Sequence, residues 1–460
     1  MADSEQQGGS PLEAFLAMNE HVKFIECIWV DFFGVTRLRK LPVARARHLA
    51  RSNGHLRLTQ VSMASQLEGV SIAELAEPGF DAMCPDWTSV RLIGNDESHA
   101  AVICWFLGKS SPGQPKIEHD TDTAASRNRC PRIALARALS FARQTGGVEL
   151  QVGFELEFYL LDEPYDITAA ADDAATSPER DPRVHWSTAS SLRTKHGECV
   201  ESCVEALEAC GIAVEQLQAE GSLHQFEISL CPQEAMCAAD SLVIAVEVVK
   251  RTAMKMGFFA TFLPKPFAGR CSSGLHTHIS VHGGDATTYP HFLAGMLERL
   301  PLLAAFGMPN AMSYSRLGFP ALGEWVSWGI ENRDAALRQI KPHHWEVRTV
   351  DFTANIYLVL ATLVAAGVLG IRDREPLRWK ECSLSCDRIT EAQRLEHGVD
   401  TRLPRNLYES GQLLGRGFQG LDEVIGAPIL EYYSLLRDAD MKRQDGMAGD
   451  DILRFLAKEF

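Results

Sequence analysis

Cys-x-x-Cys spacing is absent from this sequence, although it contains twelve cysteines. Cys199/Cys203 and Cys382/Cys386 have no second pair at zinc spacing. A finger- or ribbon-type zinc site is therefore excluded, and the thiols are expected to be reduced and mostly buried in an intracellular protein. Basic charge is also short. The 45 Lys and Arg against 60 Asp and Glu leave a formal charge of -15, which argues against nucleic acid or an anionic membrane as the main partner. The opening MADSEQQGGSPLEAF has neither the basic start nor the apolar run of a secretory leader, so a cytoplasmic location is expected. No apolar run reaches the ~20 residues of a spanning helix. The longest, Ile356 to Ile371, contains two glycines and is expected as a buried core helix.

What is present is alternation. In Val148 to Leu161, VELQVGFELEFYLL, the residues Leu150, Val152, Phe154, Leu156 and Phe158 fall on one face of a strand. Glu149, Gln151, Gly153, Glu155 and Glu157 fall on the other. Glu155 and Glu157 then project side by side from a strand whose reverse side is buried. Adjacent like charges repel unless something positive lies between them, and a divalent cation supplies it. An exposed strand with solvated acids carries the same pattern, so this stretch alone leaves both readings open.

The length of 460 residues allows about two or three domains and a large core. Residues 21 to 43 read as two strands around a turn near Asp31 to Gly34, opening a small β-rich domain. The polar stretch Gly108 to Arg129 reads as a linker or long loop. A helix over Pro131 to Thr145 and then the strand just described begin a second domain. Residues 162 to 193 read as a polar surface excursion, Thr194 to Cys210 as helix, and strands alternate with helices to about residue 371.

Four further strand-like segments repeat the design of the first. Glu227 alternates with Phe226 and Ile228 in LHQFEISL, with Glu220 just before it. His276, His278 and Ser280 share a face in SSGLHTHISV. Glu346 and Arg348 point together in HHWEVRTVD, and WVSWGIENRDAALR leads to Arg333 and Arg338. Each side chain alone would suit a structural role. Together they gather acids, imidazoles and guanidiniums on the open side of one sheet. Hard oxygen donors with imidazole and no thiolate favour Mg²⁺ or Mn²⁺ over zinc, and arginines beside them suit a transferring phosphoryl group. The usual phosphate loops are not the route: Gly108-Lys109-Ser110 lacks the upstream glycine of a P-loop, and the GxGxxG at Gly415 to Gly420 follows a helical pattern.

With these motifs in this order, the chain resembles the glutamine synthetase superfamily of ATP-dependent carboxylate–amine ligases. The resemblance runs through PRIALARAL, VGFELEFYLL, EGSLHQFEISL, FLPKPFAGRCSSGLHTHIS, SWGIENRDAALR and KPHHWEVRTVDFTANIYLVLATLVAAGVLGI. It implies an α+β fold, with a β-grasp N-terminal domain over residues 1–125. A catalytic domain over 126–460 would carry an antiparallel half-barrel sheet with flanking helices. It further implies that Glu157, Glu220 and Glu227 hold the metal facing the acid and amine, and Glu155, His276 and Glu346 the metal facing the nucleotide. His278, Ser280, Arg333, Arg338 and Lys341 would contact ATP, while Arg316 and Arg348 hold the acid substrate and its phosphorylated form. The implied partners are a small acid and a small amine, within a homo-oligomeric ring whose active sites lie between subunits.

Three departures bear on the substrate. Cys271 and Ser272 stand where the family has Asn and Gly beside glutamate. Around Leu58 to Ser62 no counterpart of the ammonium-binding Asp is found. The loop Arg316 to Glu324 is a residue short, with Glu324 nearest to the family's lid glutamate. The expectation is a ligase joining glutamate, or a related acid, to ammonia or a larger amine through an acyl phosphate. A catalytically inactive structural or regulatory oligomer, and a metal-dependent hydrolase, are the alternatives.

Overall fold

The computed structural model describes residues 10–59, 61–64, 80–94, 97–107, 129–162, 185–267, 269–285, 287–318 and 321–444, together with 451, 453, 456, 457, 459 and 460. After helix α1 (Pro11–Met18), the hairpin β1 (Phe24–Val30) and β2 (Thr36–Pro42) forms as its pattern predicts. Asp31 builds the turn. Its Oδ1 accepts from the backbone N–H of Phe33 at 2.9 Å and of Val35 at 3.0 Å, and Arg37 Nε donates to Oδ2 at 2.6 Å. Gly34 completes it at φ +79°, a conformation that side chains resist. Helix α2 (Val43–Arg51) and strands β3 (Leu56–Thr59), β4 (Phe80–Pro85), β5 (Arg91–Leu92) and β6 (His99–Leu107) follow. The strand order is β2-β1-β6-β4-β3, with β5 on β6 and the central β1–β6 pair parallel. Charged β2 guards one edge, as exposed edges require.

The second sheet is larger. Helix α3 (Pro131–Phe141) ends four residues before the expected Thr145, where the chain widens into a π-type turn, Ala142–Gly146, and reverses at Gly147. Strand β7 (Val148–Leu161) then runs through the middle of the sheet. Helix α4 (Lys195–Ala209), strands β8 (Val214–Ala219) and β9 (Gln225–Glu234), helix α5 (Ala235–Lys255) and strands β10 (Phe259–Thr261) and β11 (Leu275–Gly283) come next. Helix α6 (Thr288–Gly307), strands β12 (Trp328–Ile330), β13 (Leu337–Lys341) and β14 (His344–Val347), and helices α7 (Ile356–Asp373), α8 (Leu407–Gly415) and α9 (Ala427–Gln444) follow. The order is β12-β13-β14-β11-β7-β9-β8, with β10 on β7, and every pair except β12–β13 is antiparallel. Register shifts at Val152/Phe154, Val214/Gln216 and Gln339/Lys341 add local bend and twist, and the sheet curls into a half-barrel.

The apolar side of β7 is buried, with α5 packed against it and Phe158, Phe262 and Phe352 in ring contact. Behind the sheet lies α7. It is apolar and long enough to pass for a membrane span, but 83% of it is buried between its neighbours, as expected of a core helix. Its crossing with α6 is close because Gly295 and Gly370 face each other, and a Cβ on Gly295 would meet the Ala366 carbonyl oxygen. The GxGxxG at 415–420 begins on the last residue of helix α8, not after a strand, and Gly417 and Gly420 sit at positive φ in the turn that follows.

Several buried ties join the two sheets. A Cβ on Gly34 would stand 2.5 Å from the Thr353 carbonyl oxygen, and Asn355 Nδ2 donates to the Asp31 carbonyl at 2.7 Å. Arg132 lies 3.7 Å from the Trp105 ring centroid and bridges Asp86 at 2.8 Å to Asp240 at 2.5 Å. The expected boundary near residue 125, the linker before it, the Gly108-Lys109-Ser110 segment and most of the 162–193 excursion lie outside the described residues. The twelve cysteines are free thiols, most of them buried.

Gly295→Ala should lower the denaturant midpoint, at a cost of about 2 kcal/mol from overpacking at the α6–α7 crossing. An unchanged midpoint in urea would show that the helices do not meet at this distance.

Candidate active site

Sheet register assembles the site in rungs. On the first, Glu157 of β7 stands opposite Glu227 of β9, which stands opposite Gln218 of β8. On the second, Glu155 stands opposite His276 of β11 on one side and Ser229 on the other. On the third, Gly153, His278, Glu346 and Arg338 run across β7, β11, β14 and β13. Alternation puts these side chains on the open face because their neighbours in sequence fill the core.

His276 is the meeting point. Its Nδ1 lies 3.0 Å from Glu155, 3.3 Å from Glu157 and 3.5 Å from Glu346. Ligand atoms of Glu155, His276 and Glu346 all fall within 4.8 Å of one another, the spacing of a metal-binding trio. Burial, helped by Arg348, holds His276 down to about 4, so the imidazole is neutral and able to ligate. Burial works against the charge of Glu155, but hydrogen bonds from His276 and His278 outweigh it and keep its pKa low. Burial likewise opposes Glu346, and Arg348 and His276 overcome it.

In the other half of the site the compensation, from Arg316 near Glu157 and Arg333 near Glu220, is outweighed. Glu157 is raised well above the usual carboxylate range by burial and by Glu220 and Glu227. Glu227 is pushed up to about 8 by burial, Glu155 and Glu220, against weak help from Ser229 and Gln218. Glu220 is raised by burial despite a Trp186 hydrogen bond and the Arg333 charge. Three acids that suppress one another's ionisation are a binding site for positive charge. Oxygen donors with one neutral imidazole fit Mg²⁺ or Mn²⁺ at Glu155, His276 and Glu346, and among the described residues this is the one trio whose ligand atoms come within that spacing; Glu157, Glu220 and Glu227 do not form a second.

Backbone geometry supports the acids. Gly274 N–H donates to Glu157 at 2.6 Å, and a Cβ on Gly274 would stand 2.7 Å from Arg316 and 2.9 Å from His276. Arg316 is buried and donates to the carbonyls of Val350 at 2.8 Å and Arg348 at 2.9 Å. Two of its five N–H groups are thus engaged by backbone at the strand exit that carries Arg348, and its charge also reaches Glu157. Arg348 itself bonds Glu346 through one nitrogen, while its buried Nε has no hydrogen-bond partner among the described residues.

The residues expected to meet the nucleotide spread along β11, β13 and the turn before it. His278 lies between Glu155 at 3.0 Å and His344 at 2.9 Å. Burial opposes its charge, yet Glu155 raises its pKa, whereas burial and charged His278 drive His344 down to about 4. Arg338 is held by Glu346 at 3.0 Å and by Glu331. Ser280 and Lys341 both face His344 across the strands. Arg333 departs from this row: its guanidinium lies 5.9 Å from the Trp186 ring centroid, beside Glu220. Glu324 also stands apart, paired with Arg402 at 3.0 Å. Sequence reasoning missed His344, whose signal was the doubled histidine before Trp345. It also missed Trp186, an aromatic in an otherwise polar excursion.

A family model described as "Glutamine synthetase, catalytic domain" matches residues 128–452. Protein fluG of Emericella nidulans is 29% identical over 441 residues, covering 95% of this chain but 48% of its own, so this chain spans about half of that relative. A gamma-glutamylpolyamine synthetase, GlnA3 of Streptomyces coelicolor, is 28% identical over 359 residues, 73% of this chain and 74% of its own. Among solved structures, a GmaS–ADP complex superposes with a TM-score of 0.77 at 21% identity, covering 96% of this chain and 97% of that one, a likeness of fold.

In chelator, stability should fall as pH rises from about 6.5 towards about 8, between the ordinary histidine value, below which His276 and His344 oppose the slope, and that of folded Glu227. In that window the folded state binds more protons than the unfolded chain, so raising pH favours unfolding. Mn²⁺ should raise the melting temperature and remove this slope, and Glu227→Gln should flatten the slope in chelator. Thermal melts that gain stability over this window without metal would reject the excess-charge description.

Proposed function

The chain belongs to the glutamine synthetase family, and from that premise we propose that it is an ATP-dependent ligase. It would join glutamate, or a related acid, to ammonia or a larger amine through an acyl phosphate. The observation that carries this reading is the trio Glu155, His276 and Glu346 at metal-binding spacing, beside Arg348, whose buried Nε has no hydrogen-bond partner among the described residues. An acidic site whose arginine keeps a free donor is prepared for an anion as well as for cations.

Glu155, His276 and Glu346 would hold one divalent ion, and Glu157, Glu220 and Glu227 the other. When bound, the ions supply charge neutralisation for the phosphates and orient them. Arg348 would orient the substrate carboxylate, with Arg316 bracing its backbone. His278, Ser280, Arg338 and Lys341 line the side assigned to ATP, and Arg333 reaches the other end of the site. In the reaction the carboxylate oxygen attacks the γ-phosphorus, the bond to ADP breaks, and the amine nitrogen then displaces phosphate from the acyl carbon and loses a proton. Water has to be excluded while the acyl phosphate exists. Glu324 would act as a lid residue only after leaving Arg402.

The N-terminal sheet supports a β-grasp reading for residues 1–125: a hairpin, a helix after it and a parallel central pair. A homo-oligomeric ring with sites between subunits, and a cytoplasmic location, are part of the same proposal.

ADP and phosphate should form from ATP only when acid, amine and Mg²⁺ or Mn²⁺ are all supplied. Glu157→Ala and Glu346→Ala should each lower turnover about a hundredfold or more while circular dichroism stays unchanged. Arg348→Ala should reduce kcat more than it weakens ATP binding. Failure of every acid–amine pair to support ADP release would favour the inactive oligomer, and ATP-independent amide cleavage the hydrolase.

A further inference from the structure

Trp186 is 50% exposed, yet it is held in place. Its Nε1–H donates to Glu220 Oε1 at 2.5 Å, and the Arg333 guanidinium lies 5.9 Å from its ring centroid. Gly221 makes room for it. A Cβ there would stand 2.5 Å from Cys271 Sγ and 2.9 Å from Trp186 Nε1, so indole, thiol and glycine backbone form one continuous ledge next to Glu220.

The ledge is pinned from below. Ser187 N–H donates to the Ala219 carbonyl at 2.9 Å, and His185 N–H to the Gly221 carbonyl at 3.2 Å. On the other side, Cys271 N–H donates to Ser222 Oγ at 2.9 Å and Tyr159 Oη–H donates to the Cys271 carbonyl at 2.8 Å. Strand β7, the end of β8 and the β8–β9 connection thus fix the position of an apolar surface relative to the acid trio.

Resting on the ligase reading above, we propose that this ledge selects the nitrogen nucleophile: a primary monoamine with an apolar alkyl or aryl group. The amine nitrogen comes to the Trp186 side of Glu220, and the hydrocarbon body lies along the exposed indole. Ammonia has no body with which to cover an exposed indole, whereas an alkyl or aryl group removes apolar surface of both partners from water. An indole already oriented by its hydrogen bond loses little further freedom on binding. Arg333 sets the remaining choice. A diamine or polyamine would bring a second positive charge towards the guanidinium beside the ring, which repels it.

The test compares kcat/KM for benzylamine, propylamine, putrescine and ammonium with glutamate, ATP and Mn²⁺, in the full chain and in two variants. Benzylamine should exceed ammonium by about tenfold or more, and propylamine should exceed putrescine. Trp186→Ala should lower the benzylamine-to-ammonium ratio about tenfold, while Trp186→Phe, which keeps a ring but loses the N–H, should preserve it. A wild-type preference for ammonium or putrescine would overturn the proposal. So would equal losses for all amines in Trp186→Ala, the result expected if the indole serves only to hold Glu220. If no amine is turned over, calorimetry with Mn²⁺, ADP and glutamate decides. Benzylammonium binding weakened by Trp186→Ala upholds the ledge and rejects the ligase, and no binding of benzylammonium rejects the ledge.

Discussion

Electrostatic repulsion between Glu157 and Glu227 is the constraint on which the site depends. They stand directly opposite on adjacent strands, where side-chain carbons are about 4.5–5.5 Å apart and like charges destabilise the sheet. Glu220 adds a third charge. The fold relieves this only in part: Gln218, Ser229, Trp186 and the Gly274 N–H offer neutral hydrogen bonds, Arg316 acts on Glu157 and Arg333 on Glu220, and burial with mutual repulsion still wins. The other half, around Glu155 and Glu346, is by contrast provided with two histidines and two arginines. One face of a sheet thus carries a compensated pole and an under-compensated one, a few ångströms apart and joined through His276.

Holding such a face together requires rigid backing. The apolar side of β7 supplies it through α5, and the α6–α7 crossing supplies a second layer in which only glycines fit. The segment after Arg348 is fastened from both directions: Arg316 clamps its carbonyls, and the Asp31–Gly34 turn of the first sheet presses on Thr353 and Asn355. An N-terminal turn far from the acids therefore shares in locating the arginine that would meet the substrate. The same coupling gives a physical reason for burying Asp31, whose carboxylate exists to shape that turn.

Much of this was legible in the residues. A 14-residue strand with strict alternation announces its own faces, so Glu155 and Glu157 could be placed on the open side of β7 before any coordinates. His276, His278, Glu346 and Arg338 followed by the same period of two. The two backbone bonds of Arg316 could not be read this way, because a guanidinium's hold on main-chain carbonyls has no signature in sequence. The Glu324 pairing with Arg402 was not legible for a related reason: nearness in the chain to a site says nothing about which arginine a carboxylate meets. Trp186 lay in a polar excursion with no periodicity, and nothing local marked it as a neighbour of Glu220, 34 residues away.

The sequence by itself determined which side chains share a face, since alternation in a strand and burial of the apolar half leave no other arrangement. It also determined the chemical character of the cluster, with oxygen and imidazole donors and no thiolate. Only the tertiary structure decided which of these faces become neighbours. Strand order and register are long-range choices that bring Glu227 to Glu157 and His276 to Glu155, and they decide which acids keep a cationic partner and which are left to repel one another.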